Sequence, residues 1–170
     1  GVYLLYSVLV LPVMVLAARH VFGSVATVGA TVVVAFAALS VLARSIGILR
    51  WLTVMPALAQ EHATADTAQR GVIELVFSAI TTWGGGVGEL LGVSLFMAAS
   101  LGVAMVAAWQ RRSVPRWLAA LGLLAALLLL GLFLPALGAA DLVPVAVAVS
   151  SLSLWMLAFG AWLLWAKTAR

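Results

Sequence analysis

Cysteine is absent from the 170 residues, so disulfides, thiolate metal sites and thiol catalysis are excluded. Charge is scarce. Only 8% of the residues are Asp, Glu, Lys or Arg, against about 25% in soluble domains, too few to coat the chain for water. The single lysine, Lys167, stands close to the C-terminus, which excludes a mid-membrane Schiff-base lysine of the kind that holds retinal. No Walker loop, dinucleotide fingerprint, HExxH or GxSxG motif occurs. The usual phosphate, metal and nucleophile devices are therefore missing. No charged residue lies deep within a long apolar run, which argues against a proton relay or a channel with a central charged ring.

What is present is apolar. Hydrophobic residues make up 66% of the chain, and the mean hydropathy is +1.25. The chain has to reside in a bilayer. A helix rises about 1.5 Å per residue, so about 20 apolar residues cross the hydrocarbon core. The pattern predicts an all-α integral membrane protein, a single transmembrane domain over 1–170. Its spans are expected at about 2–18, 25–43, 90–109, 117–138 and 142–166. The chain begins at Gly1, almost inside an apolar run, which suggests that residues upstream are missing.

The segment 44–88 differs. It holds Arg44, Arg50, Glu61, His62, Asp66, Arg70 and Glu74, seven of the sixteen charged or histidine residues. Within it, 71–83 is uncharged apart from Glu74 but too short to span. Val72, Ile73, Val76, Phe77, Ile80 and Trp83 fall on one helical face, and Arg70, Glu74, Ser78 and Thr82 on the other. The spacing predicts an interfacial or re-entrant amphipathic helix over about 66–83. Asp66 and Gln69 would cap it, and Gly84-Gly85-Gly86 would break it with a sharp turn.

With that helix not crossing, Arg19, Arg111, Arg112, Arg116, Lys167 and Arg170 share one side, and Arg44, Arg50 and Arg70 the other. Six against three is the positive-inside bias. It places the C-terminus in the cytoplasm and all five acidic residues outside. Trp109, Trp117 and Trp165 then mark the inner interface, and Trp51 and Trp83 the outer one. The basic excess, with a pI near 10.8, is membrane topology. No basic stripe is interleaved with exposed aromatics, so no nucleic-acid partner is expected.

The outer charges form the candidate site. Arg44, Arg50 and Trp51, with His62, Glu74 and Glu89, could line a polar pocket beneath the amphipathic helix. Arginine would hold an anionic group, and a carboxylate would take a proton or a cation. The structural alternative has Arg44 and Arg50 snorkelling or pairing with Glu74 and Glu89 to pin the segment. His20 and His62 fall on opposite sides of a core about 30 Å thick, so one haem cannot be held by both. His62 with Glu61 and Glu74 lacks the spacing of a metal motif, and no metal or cofactor is expected. Gly84, Gly88 and Gly92, like Ser94, Ala98 and Gly102, form four-residue ladders that allow close helix packing, or a dimer face.

Three stretches carry a resemblance: Arg44-Ser-Ile-Gly47-Ile-Leu-Arg50-Trp51 with Pro56-Ala-Leu-Ala, Gly88-Glu89-Leu-Leu-Gly92, and Ser113-Val-Pro115-Arg116-Trp117-Leu. Over nearly its whole length the chain resembles small bacterial multi-pass membrane proteins grouped under a domain of unknown function. The resemblance implies a bacterial plasma membrane, one more N-terminal helix, and no particular activity. The expected function is non-enzymatic binding of a small anionic or amphipathic ligand, or a membrane lipid, at the outward pocket. The alternatives are an accessory subunit of a larger membrane complex, and a small transporter or intramembrane enzyme that uses Glu89.

Overall fold

The computed structural model describes residues 2–168, with side chains to 166. Gly1 and Arg170, which entered the sequence reading, lie outside the described residues, as does the Lys167 side chain. Helix α1 is Val2–Phe22, α2 Val28–Leu52, α3 Val54–Thr64 and α4 Thr67–Gly85. A π-helical segment, Gly86–Phe96, follows, then α5 Met97–Arg111, α6 Arg116–Gly131 and α7 Val145–Thr168. The protein is an all-α membrane protein, with five helical rods among the described residues. Four of them are long and apolar enough to cross a bilayer; α6 is shorter.

Prolines set the main breaks. A proline cannot donate to the carbonyl four residues back, and its ring crowds that carbonyl. Pro56 stands four residues after Leu52, where α2 ends, and Thr53 takes φ −120°, ψ −72° between α2 and α3. Pro135 stands four residues after Gly131, where α6 ends. The span expected at 117–138 is therefore interrupted, and a 3₁₀ turn covers Leu134–Leu137. Pro12 lies inside α1 without ending it, as membrane helices allow.

Two expectations are corrected. The helix that starts the second span does not close at Arg44. It continues to Leu52 and, past Thr53, to Thr64. The glycine triplet does not break the chain either. Gly85 and Gly86 keep right-handed helical angles, and α4, the π segment and α5 make one rod of 45 residues, Thr67–Arg111. A sharp turn near the bilayer edge would strand backbone N–H and C=O groups, and the unbroken helix satisfies them. The predicted cap is present: the Asp66 carboxylate accepts from Gln69 N at 2.9 Å, and the Gln69 side chain accepts from Asp66 N.

Together, 28–64 and 67–111 form one long antiparallel hairpin. The pairs Ser40 with Gly92, Val33 with Ser100, Gly47 with Gly88, and His62 with Glu74 are all centred between residues 66 and 68. At 1.5 Å per residue the rods measure about 55 and 67 Å, against a hydrocarbon core of about 30 Å. The tip, α3 and the first turns of α4, packs on itself and on the stems that continue it rather than on α1, α6 or α7.

The core gathers around α5, which touches α1, α2 and α6. Met14, Val33, Leu101, Met105, Leu118, Leu129 and Leu152 are fully buried there. Trp155 stacks on Phe159 at 5.3 Å. Helix α7 packs on α6 and returns to α1 through a Tyr6–Ser153 hydrogen bond of 2.9 Å and an edge contact between His20 and Trp162. The His20 Nε2–H donates to the Ser113 carbonyl at 2.9 Å, tying the α5–α6 turn to α1. The outer surface of the rods is apolar, with Val2, Leu5, Leu127, Leu157 and Leu164 all well exposed.

Candidate functional site

The six residues selected from the sequence fall into three groups. His62 and Glu74 meet at the tip, 3.3 Å apart, and both are well exposed. No third His, Asp or Glu joins them as a metal site among the described residues. Glu89 is exposed on the π segment. Arg44, Arg50 and Trp51 lie on α2 where it packs against the glycine ladder.

That packing explains the ladder. An added Cβ at Gly47 would stand 2.9 Å from the Gly84 carbonyl and from Gly88 Cα, so the two backbones touch. On either side of this contact the glycines admit arginine stems. A Cβ at Gly92 would meet Arg44 Cγ and N at 2.9 Å, and one at Gly84 would meet Arg50 Nη1 at 2.6 Å and Cδ at 2.7 Å. The wider turn of the π helix brings residues four apart closer into line than an α helix does. One row of glycines thus forms two notches. Ser40 Oγ donates to the Gly92 carbonyl at 2.6 Å beside the first, and Ser100 Oγ to the Val33 carbonyl at 2.7 Å below it.

Arg44 is 4% exposed. Its Nε and Nη1 are buried and make no hydrogen bond. The Tyr6 ring faces it, with its centroid 5.9 Å from the guanidinium carbon. Ser153 Oγ donates to the Val149 carbonyl, so Tyr6 must donate to Ser153. The phenol oxygen keeps its lone pairs. Arg50 is half-buried. Its Nε and Nη1 are likewise buried and unpartnered, and its guanidinium lies 5.4 Å from the Trp51 ring. Trp51 in turn meets Phe77 edge-on at 6.3 Å.

Among the described residues, neither arginine has a carboxylate within ion-pair distance; Glu74 is taken by His62. The expected pairing of Arg44 and Arg50 with Glu74 and Glu89 is therefore replaced by two unpaired guanidinium groups. A desolvated cation–π contact contributes about 2 kcal/mol when close, and at 5.9 Å this one is near the limit of its range, whereas an unpaired buried ion costs several kcal/mol. The chain alone leaves that deficit open. Tyr6, Ser40 and the glycine notches were not singled out as site residues from sequence. Tyr6 is far away in the chain, and a glycine ladder looks the same whether it receives a backbone or an arginine.

The match to known families covers residues 2–166. The chain belongs to the family described as Domain of unknown function (DUF4386). No curated protein and no solved structure matches it. The family's description assigns no activity.

Proposed function

We propose that this DUF4386 protein is a non-enzymatic integral membrane protein that binds an anionic ligand at the Arg44 and Arg50 notches. The observation that carries this is the Arg44 guanidinium, more than nine-tenths buried with two donor nitrogens, Nε and Nη1, unanswered. Buried donors in folded proteins almost always have partners, and an intramembrane ionisable residue marks a function by default. A phosphate or carboxylate between Arg44 and the Tyr6 side would supply the missing acceptor and the missing charge. Arg50, held at the ladder by Gly84 and steadied by Trp51, offers a second donor set six residues, about 9 Å, further along.

The site lies near the end of the bundle that carries the tip. Arg44 is sixteen residues, about 24 Å, past the start of α2. With the basic excess inside, that end faces outward from a bacterial plasma membrane and the C-terminus is cytoplasmic. A second reading, a docking subunit of a larger membrane complex, is favoured by the projecting tip, where Val72 and Leu75 are 63% and 71% exposed.

Native mass spectrometry of the protein extracted gently from its own membranes tests the binding reading. A reproducible anionic adduct is expected, lost in Arg44→Gln and weakened in Arg50→Gln. Arg44→Lys is expected to recover little, because a point charge does not replace a planar fork of donors. A bare chain in the wild type, with no adduct, would sink the reading.

A further inference from the structure

At the other end of the bundle, independently of the arginine notches, a groove of about 480 Å³ opens along α5. Phe22, Gly29, Ala99, Val103, Ala107 and Gln110 line it, and its walls are apolar except at Gln110. Phe22 forms the end wall. Its ring lies over Gly29, where any Cβ would meet it at 2.3 Å. The Arg111 guanidinium sits 4.9 Å above that same ring. The groove therefore has an apolar body and a cationic head.

We propose that this groove seats one acyl chain of an anionic phospholipid, whose headgroup is held by Arg111 and Gln110. Length supports a lipid chain. The lining runs from Ala98 to Gln110 along α5, about 18 Å at 1.5 Å per residue, close to the depth of one leaflet, about half of a 30 Å hydrocarbon core. Charge supports an anion from outside the chain. Arg19, Arg111, Arg112 and Arg116 all lie at this end. Of the five acidic residues, Glu61, Asp66 and Glu74 are in the tip, Glu89 is on the π segment and Asp141 is in the α6–α7 link, all toward the opposite end. Among the described residues, none of these arginines has an ion-pair partner. A basic pocket between membrane helices is the form in which lipid headgroups are recognised. A second copy of the chain suits the groove less well. A parallel pair would bring Arg111 and Arg112 of both copies to one level, where like charges repel.

The test uses the full chain reconstituted in vesicles of phosphatidylcholine and phosphatidylglycerol in equal parts. Native mass spectrometry then counts the lipids that stay bound on release. Phosphatidylglycerol is expected to exceed phosphatidylcholine about fivefold, the factor one arginine near an anionic headgroup contributes. Arg111→Gln should bring the ratio near one while lipid still binds. Ala99→Leu, or Val103→Phe at an exposed position if the first fails to fold, should remove retained lipid of both kinds. Equal retention of the two lipids by the wild type overturns the proposal. So does unchanged phosphatidylglycerol in the groove-filling variant, or a chain dimer that this variant dissolves.

Discussion

Gly47 and Gly71 both lie within helices, yet one added methyl group should act on them in opposite senses. At Gly47 the methyl meets the backbone of Gly84 and Gly88, which cannot swing aside; at Gly71 it meets nothing within 4 Å. Gly47→Ala is expected to lower the melting temperature in detergent, at a cost of about 1–3 kcal/mol. Gly71→Ala should raise it, gaining about 0.5–1 kcal/mol of helix propensity. Arg44 gives a sharper case. Its buried charge has no ion-pair partner, and the desolvation penalty of such a charge is several kcal/mol, which an apolar side chain does not incur. Arg44→Leu is therefore expected to melt higher than the wild type when no ligand is bound, and to lose the anionic adduct. A lower melting point for this variant would mean that the guanidinium serves the fold alone.

At the scale of elements, the sequence shows what is local and hides what is shared. The cap at Asp66 was legible because it needs only four consecutive residues. The all-α membrane class was legible from composition and run length. The glycine triplet was misread, because glycine breaks helices in water, where freed backbone groups find partners, and not at a bilayer edge, where they do not. The run 71–83, charged only at Glu74, is too short to span when counted alone, whereas it is part of a 45-residue rod. Of the site, Arg44, Arg50 and Trp51 stood out as charges and an aromatic at the end of a span. Their receptacle did not, since the notches at Gly84 and Gly92 exist only once two helices meet. The cap remains a local device in the structure. Asp66→Ala should cost about 1 kcal/mol and speed amide hydrogen exchange in α3 and early α4. Exchange in α5, below the glycine contacts, should be unaffected.

For the whole molecule, the hairpin fixes which residues share a side. Since the chain has no cysteine, single introduced thiols report position without background. A cysteine at Ala65 in the tip is expected to react with an impermeant maleimide in intact cells, and one at Gln110 only after the membrane is opened. Labelling of both from the same side contradicts the proposed orientation. The common centre of the cross-pairs, near Asp66, also bears on how the protein is made. Residues 28–111 can close from the turn downward, each new pair formed next to the last, so little loop entropy is lost at any step. Every partner in this hairpin leaves the ribosome before α6 and α7 do. The translocon therefore receives Arg44 and Gly92 within one emerging unit, and the arginine reaches the lipid with its notch already beside it rather than as a bare charge waiting for a distant helix.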